Sequence, residues 1–360
     1  MTQLWYPQTW KMVNRRRFVK YGAIALGTAM VSACNRSAPD AASTEEANPT
    51  VSGSLDQVTF GTNWYAQAEH GGFYQAVATG IYADYGLDVT IAMGGPQVNG
   101  TQLLMGGAVD FFMGYTADAI KAVQENIPKV TVAAIFQKDP QILIAHPDTG
   151  VAALEDLQGR PIYVSSASTS TYWPFLAAKY GFTDDQRRPY NFNPGPFLAD
   201  KQSAQQGYLS SEPRQIQAEG GFDPMVFLLA DYGYTSYATT IETRQKIVDS
   251  NPDLVQRFVD ASIAGWYSYF DNPEPGNALI QQDNPEMSDE QLAYGLEKMQ
   301  EYGIVVSGEA EDLGIGAMTE DRWQAFFDTM VEAGVFDPDT DYTRAFTLDF
   351  VNKGVDAYTS

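Results

Sequence analysis

Short apolar runs alternate along the chain with segments whose apolar residues recur at helical spacing, starting near residue 57. Five such runs predict the strands of a first unit: QVTFGTNW, LDVTIAMGG, VDFFMGYT, KVTVAAIF and QILIAHP. Helical spacing between them predicts helices over 71–85, 100–107 and 117–124. This alternation, with its short glycine-bearing turns, predicts an α/β fold built on a largely parallel sheet.

A second unit follows with the same alternation. The runs GRPIYVSSAS, RRPYNFNPGPF and MVFLLADYGY predict strands, and helices are predicted over 171–180 and within 201–219. From Glu242 the pattern is helical almost to the end, with helices predicted over 243–251, 254–270, 274–282, 289–302 and 320–333. A chain that returns across its own first unit predicts two lobes joined by crossover segments. Small-molecule sites favour the cleft between such lobes.

The first 34 residues have the pattern of an export signal. Basic residues over 15–20 precede an apolar stretch over about 22–33, which is too short to span a bilayer stably. The run Arg15-Arg16-Arg17-Phe18-Val19-Lys20 resembles the twin-arginine export pattern, and Val31-Ser32-Ala33-Cys34 resembles a lipobox. We therefore expect a protein lipidated at Cys34, in the periplasm or on the outer face of the cytoplasmic membrane. A buried structural cysteine is the alternative.

Composition narrows the range of partners. Residues 35–55 are rich in Ser, Ala, Pro and Glu, which predicts a disordered tether. Cys34 is the only cysteine, so no intrachain disulfide forms. The net charge of −23 argues against a nucleic-acid partner, because neutralising phosphates takes clustered Lys and Arg. We attribute the acidity to solvation of the surface.

Enzyme motifs are missing from the sequence. It has no Gly-x-Gly-x-x-Gly after a strand, no Walker loop, no His-Glu-x-x-His and no Gly-x-Ser-x-Gly. Two histidines and one cysteine give poor support for a zinc or iron–sulfur site. The sequence therefore favours a binding protein without catalytic residues, cofactor or metal.

Candidate ligand contacts are aromatic and small polar residues at the predicted strand ends and the turns after them. Flat rings stack on planar ligands, a carboxylate accepts hydrogen bonds from ring amino groups, and free hydroxyls and N–H groups hold polar or anionic groups. The candidates are Asn63, Trp64, Tyr65, Gly114, Tyr115, Thr116, Ser166, Ser168, Thr169, Tyr208, Glu212 and Tyr232. His70 and Gly71 join them at the mouth of the first helix, His70 as a neutral donor and the glycine to let a ligand approach the backbone. Plain packing or helix capping is the alternative for each.

Several stretches resemble one family of transport proteins. They are TFGTNWYAQAEHGGFYQAVATGIYADYGLDVTI, GGPQVNGTQLLMGGAVDFFMGY, LEDLQGRPIYVSSASTSTYW, GYLSSEP and MTEDRWQAFFDTMVEAGVF, which together cover most of 57–336. They resemble the periplasmic solute-binding proteins of ABC transporters, of the sulfonate and thiamine-pyrimidine-precursor (SsuA and NMT1/THI5-like) type. The resemblance implies a type II clamshell of two lobes, each a mixed, mostly parallel sheet flanked by helices. It places lobe 1 at 56–147 and about 245–350, and lobe 2 at 148–244.

The same resemblance implies a function and a site. A monomer would capture a small solute between its lobes and deliver it to an ABC permease and its ATPase. The expected solute is a thiamine pyrimidine precursor such as an aminopyrimidine, with a sulfonate, taurine or nitrate-type anion as the alternative. Trp64 and His70 match cleft positions, Tyr115 the turn after the third strand, 166–169 an anion-contacting turn, and Glu212 a position on the second lobe.

One enzyme also resembles the chain. The 4-amino-5-hydroxymethyl-2-methylpyrimidine phosphate synthases of eukaryotes share this fold. They consume their own histidine, hold pyridoxal phosphate on a lysine and carry a cysteine-rich iron motif. This chain has no cysteine after Cys34 and begins with an export signal, so both features disfavour the synthase.

Overall fold

The computed structural model describes residues 54–95, 98–165, 168, 171–191 and 193–359, with the side chain of residue 359 left aside. The predicted signal over 1–34 and nearly all of the predicted tether lie outside these residues. Among the described residues, no helix is both long enough and apolar enough to cross a bilayer.

The first sheet has five strands in the order β2-β1-β3-β10-β4. Its strands are β1 (Asp56–Gly61), β2 (Leu87–Ala92), β3 (Phe111–Gly114), β4 (Lys129–Phe136) and β10 (Ala238–Arg244). β1 pairs in parallel with β2 and β3, whereas β10 is antiparallel to both β3 and β4. Four strands therefore run one way and the inserted β10 runs against them.

The second sheet repeats this arrangement with the order β7-β6-β8-β5-β9. Its strands are β5 (Gln141–Ala145), β6 (Ile162–Val164), β7 (Arg187–Pro189), β8 (Ala204–Tyr208) and β9 (Met225–Leu228). Here β6 is parallel to β7 and β8, and β5 is the strand that runs against the others. The predicted α/β class, with two mixed and mostly parallel sheets, is confirmed.

Helices flank both sheets. Those of the first lobe are α1 (Gly71–Ala78), α2 (Ile81–Asp84), α3 (Gly100–Met105), α4 (Thr116–Gln124) and α8 (Gln245–Ser250) to α14 (Asp356–Thr359). Between those two lie α9 (Pro252–Asp271), α10 (Glu274–Asp283), α11 (Asp289–Glu301), α12 (Glu309–Leu313) and α13 (Glu320–Glu332). The second lobe carries α5 (Tyr172–Tyr180), α6 (Gly195–Ala199) and α7 (Glu212–Gly220).

The lobe boundaries lie earlier in the chain than predicted. β5 had been assigned to lobe 1, but its backbone pairs with β8 and β9 in the second sheet. β10 had been assigned to lobe 2, but it pairs with β3 and β4 in the first sheet. The chain therefore crosses between the sheets at 137–140 and again at 229–237, not near 147 and 244.

Two other local predictions differ from the structure. The helix predicted over 71–85 is interrupted at Gly80, whose φ of 80° is left-handed, so α1 ends and α2 begins there. β8 and β10 were not predicted as strands, because AQQGY and ATTIETR lack the apolar character of the other runs.

Arg322 of α13 ties the two crossovers together. Its guanidinium lies 4.2 Å from the ring centroid of Tyr237 and donates to the carbonyl oxygens of Gln137 and Thr235. Gln137 belongs to the first crossover, and Thr235 and Tyr237 belong to the second. A carboxylate oxygen of Glu309 accepts from the same guanidinium at 2.9 Å. One cation therefore holds both connections between the lobes.

Candidate functional site

A cavity of about 1170 Å³ lies between the two sheets. Most first-lobe residues that line it lie at or after the carboxyl ends of β1, β2 and β3, and most second-lobe residues lie at or after those of β6, β7 and β8. Residues of β4, β5 and β10 also line it: Lys129, Gln141, Thr239 and Glu242. Ligands of open α/β sheets bind at this edge, outside the carboxyl ends of parallel strands. The volume somewhat exceeds the roughly 300–1,000 Å³ typical of small-molecule sites.

Most of the predicted contacts line this cavity. They are Asn63, Trp64, Tyr65, His70, Gly114, Tyr115, Tyr208 and Glu212. β1 ends at Gly61, so the first three lie on the loop after the strand rather than in it. Tyr65 is 46% exposed, and its ring meets the ring of Trp64 edge-on, with centroids 5.7 Å apart. The loop therefore presents two adjacent aromatic faces at the mouth of the cavity.

Four predicted contacts lie elsewhere. A side chain at Gly71 would come within 2.2 Å of the ring of Tyr269 in α9, so this glycine permits helix packing and not ligand approach. Thr116 is buried, and its hydroxyl both donates to and accepts from the backbone of Tyr237. Ser168 is buried and donates to the carbonyl of Ser165.

Tyr232 is the fourth of these residues. Its carbonyl oxygen accepts from Lys179 at 2.6 Å and from the hydroxyl of Tyr180 at 2.9 Å, away from the cavity. The remaining two predicted contacts, Ser166 and Thr169, lie outside the described residues.

His70 is a neutral donor in the cavity wall. The backbone N–H of Gln67 donates to its Nδ1 at 3.2 Å, so the ring proton of the neutral form sits on Nε2. Burial lowers the pKa of His70 to about 4, which keeps the ring uncharged at neutral pH. The Nε2–H is therefore a hydrogen-bond donor.

Polar contacts join the lobes beside the cavity. The hydroxyls of Tyr115, after β3, and Tyr208, at the end of β8, lie 3.1 Å apart. The hydroxyl of Ser210 in the second lobe donates to a carboxylate oxygen of Glu69 in the first. Burial raises the pKa of Glu69 to about 7, although the Ser210 hydrogen bond opposes the shift.

Glu212 is held rigidly on the second lobe. The N–H of Tyr208 donates to its Oε2 at 2.7 Å, and the hydroxyl of Tyr190 donates to its Oε1 at 3.2 Å. Burial raises the pKa of Glu212, and these hydrogen bonds oppose the shift. A side chain at Gly207 would come within 2.9 Å of the Cβ of Glu212, so the glycine makes room for this arrangement.

Gln206 adds a second polar group to the same wall. Its Oε1 accepts from the N–H of Ser165 at 2.5 Å and from the hydroxyl of Tyr172 at 2.8 Å. Because these contacts fix the oxygen, the amide presents its Nε2 group as a donor. The second lobe therefore offers an acceptor and a donor side by side.

A buried ion pair lines the first-lobe side of the cavity. The Nζ of Lys129 lies 2.6 Å from the Oε2 of Glu242, and each side chain is 2% exposed. Asp118, on the first turn of α4, also lines the cavity and is exposed. A Cβ at Gly114 would come within 2.4 Å of the Oε1 of Glu242, so this glycine leaves room for the carboxylate.

The charge of the lining is one-sided. Among the described residues that line the cavity, the carboxyl and ammonium side chains are Glu69, Asp118, Glu212, Glu242 and Lys129. The one cation is already paired with Glu242. The described part of the chain also holds no group of three or more His, Cys, Asp or Glu side chains that could bind a metal ion. The lining therefore offers carboxyl oxygens as hydrogen-bond acceptors, and its one ammonium group is engaged by Glu242.

Several lining residues were not predicted from the sequence: Glu69, Asp118, Lys129, Tyr190, Gln206 and Glu242. Glu69 adjoins the predicted contact His70, and Tyr190 lies within the predicted run RRPYNFNPGPF, directly after the end of β7. Lys129 and Glu242 are 113 positions apart and lie within strands. The only local signal for them was a charge inside a buried strand.

Comparison with known proteins identifies related chains. A family model described as NMT1/THI5 like matches residues 67–275. The riboflavin-binding protein RibY of Chloroflexus aurantiacus is 26% identical over 336 residues, covering 90% of this chain and 95% of that protein. The formylaminopyrimidine-binding protein of Halalkalibacterium halodurans is 25% identical over 274 residues, covering 72% of this chain and 80% of that protein.

Solved structures show the fold. The periplasmic aliphatic sulphonate binding protein SsuA from Escherichia coli superposes with a TM-score of 0.61 at 13% identity, covering 81% of this chain and 92% of that chain. At this identity the likeness concerns architecture alone. The two-lobed periplasmic-binding-protein fold expected from the sequence is thus confirmed.

Proposed function

Since this chain belongs to the NMT1/THI5-like family, we propose that it is the solute-binding component of an ABC importer and captures a planar nitrogen heterocycle between its two lobes. The observation that carries the proposal is the cavity of about 1170 Å³, lined by aromatic and hydrogen-bonding side chains of both lobes. Trp64 and Tyr65 supply flat faces for stacking, and Glu212 supplies an acceptor for ring N–H groups.

The chemistry of the lining supports a neutral solute. Both relatives carry names of binding proteins, and riboflavin and formylaminopyrimidine are uncharged heterocycles with several donors. An aminopyrimidine suits the same groups but leaves much of the volume unfilled, so a flavin-sized solute fits the cavity better. A sulfonate or nitrate would meet several carboxyl groups and no unpaired cation. We therefore place anions outside the range of solutes.

The sequence supports the rest of the transport proposal. Export by the twin-arginine route and lipidation at Cys34 would hold a monomeric receptor at the outer face of the cytoplasmic membrane, where it would meet a permease and its ATPase. Labelling of cells with a radioactive fatty acid should mark the wild-type chain and leave Cys34→Ala unmarked. Equal labelling of both chains would contradict lipidation at Cys34.

Calorimetric titration of the purified full chain tests the proposed solute class. The panel contains riboflavin, formylaminopyrimidine, 4-amino-5-hydroxymethyl-2-methylpyrimidine, taurine and nitrate. We expect saturable one-to-one binding of at least one heterocycle without chemical turnover, and no binding of either anion. Binding of taurine or nitrate alone, or binding of no compound, would contradict the proposal.

A further inference from the structure

Beyond the aromatic loop of Trp64 and Tyr65, the cavity continues as an arm along one face of the first sheet. This arm is lined by Thr101 of α3, Asp118 of α4, Phe112 of β3, Lys129 of β4 and Glu242 of β10. α3 packs against β3 and β10, whereas α4 packs against β4, so the arm lies between the two helices. It belongs wholly to the first lobe.

The floor of the arm holds an acceptor without a partner. Oε2 of Glu242 is paired with Lys129, but Oε1 is buried and has no hydrogen-bond partner among the described residues. Leaving a buried carboxylate oxygen unpaired costs stability, so such an atom in a cavity wall marks a place where a ligand atom gains a hydrogen bond. Gly114 lets the carboxylate lie against the backbone of β3 at this point, since a Cβ there would lie 2.4 Å from Oε1.

The groups around that oxygen restrict which functional group of a ligand can bind there. Glu242 Oε1 and the exposed carboxylate of Asp118 accept hydrogen bonds, whereas the ammonium of Lys129 donates them. A phosphate or carboxylate group would face two carboxyl groups and no unpaired cation, and an ammonium group would be repelled by Lys129. A hydroxyl group both donates and accepts, and it carries no charge to desolvate.

From this arrangement we propose that the arm is a subsite for a hydroxylated substituent of the solute. Its ring occupies the aromatic mouth, and one or more of its hydroxyl groups contact Glu242 and Asp118. This inference rests on the proposed function, because it assigns a second part of the same cavity to the same solute. It adds that affinity depends on a substituent as well as on the ring.

Two matched pairs of probes test the subsite. Riboflavin is compared with lumiflavin, in which a methyl group replaces the hydroxylated chain. The second pair is 4-amino-5-hydroxymethyl-2-methylpyrimidine and 4-amino-2,5-dimethylpyrimidine. Titration of the full chain should show the hydroxylated member of at least one pair binding about tenfold or more tightly than its partner, as expected for hydrogen bonds to charged groups.

Variants of the arm separate its role from folding. Asp118→Ala removes an exposed carboxylate and should reduce the preference to about threefold or less, chiefly by weakening binding of the hydroxylated member. Glu242→Gln should act in the same direction, although it leaves Lys129 buried without its ion-pair partner. Asp84→Ala is the matched control, because Asp84 is exposed on α2 of the same lobe and does not line the cavity. It should keep the wild-type ratio.

The outcomes distinguish the two proposals. Equal affinity within both pairs for the wild type, or a preference that persists in Asp118→Ala and in folded Glu242→Gln, would overturn the subsite and leave the proposed function standing. Failure of all four probes to bind would overturn the subsite, and it would contradict the proposed function as well if formylaminopyrimidine also failed to bind.

Discussion

The hydroxyl of Tyr115 lies 3.1 Å from the hydroxyl of Tyr208, and this contact joins the end of β3 in the first lobe to the end of β8 in the second. Both rings line the cavity. A hydrogen bond between lobes forms only when the lobes are close, so it favours the closed arrangement over an open one. Solute affinity therefore includes the free energy of this contact.

Removing one hydroxyl tests that coupling. Tyr115→Phe should weaken the affinity for the tightest-binding heterocycle by roughly two- to tenfold, since a hydrogen bond contributes about 0.5–1.5 kcal/mol. Titration calorimetry measures the change. Tyr232→Phe, in the second crossover and away from the cavity, is the control and should keep wild-type affinity. Unchanged binding by Tyr115→Phe would show that the contact does not favour closure.

Stability should fall as pH rises through neutrality. Burial raises the pKa of Glu69 from 4.5 to about 7 and the pKa of Asp139 from 3.8 to about 7. Between its unfolded and its folded pKa, each group holds more protons in the folded chain than in the unfolded chain. Stability is thus greatest below those unfolded values and declines as the folded groups ionise. His70, lowered to about 4, opposes this trend only between its unfolded value of 6.5 and about 4.

Glu69→Gln isolates one of these groups. Between about pH 6.5 and about pH 8, the wild type should lose roughly 1 kcal/mol more stability than this variant, because Gln has no proton to release. Urea unfolding across that range measures the difference. Parallel curves would mean that Glu69 ionises at its ordinary pKa in the folded chain.

The glycine beside His70 should matter for stability and not for binding. A Cβ at Gly71 would come within 2.2 Å of the buried ring of Tyr269, so Gly71→Ala should cost roughly 1–3 kcal/mol of unfolding free energy. Gly95→Ala is the control for stability, which it should leave near the wild-type value, because its Cβ would meet only the exposed residue Tyr65, at 3.3 Å. Normal stability with weakened binding in Gly71→Ala would instead support a ligand contact.

Removal of Arg322 should cost more stability than removal of the cation of an ordinary ion pair. It bridges both crossovers through Gln137 and Thr235, so Arg322→Ala should lower the free energy of unfolding by roughly 2–3 kcal/mol. Lys353→Ala breaks a simple ion pair with Asp260 and should cost less than about 1 kcal/mol. Chemical denaturation compares the two. Equal effects would contradict a special role for Arg322.

The architecture and the first-lobe loop were readable from the sequence because they rest on local patterns. Apolar runs ending in Asn63-Trp64-Tyr65 and Gly114-Tyr115 predict strands, and parallel strands bring their carboxyl ends to one edge. His70 lies in the cavity wall, as the sequence suggested. Its role as a ligand contact stays a prediction.

Other features depend on tertiary contacts that no local pattern displays. β10 was missed because its buried positions include Thr240, Glu242 and Thr243, which do not form an apolar run. The buried carboxylate of Glu242 is explained by its ion pair with Lys129, which lies on a neighbouring strand and is distant in sequence. Gly71 was assigned to the ligand because Tyr269, the ring that it accommodates, is nearly 200 residues away.

A crystal structure of the full chain grown with a saturating concentration of the tightest-binding heterocycle tests the central claim most directly. The account predicts ligand density between the lobes, with the ring against Trp64 or Tyr65 and within hydrogen-bond distance of Glu212. Density bound elsewhere on the chain, with the interlobe cavity empty, would contradict it.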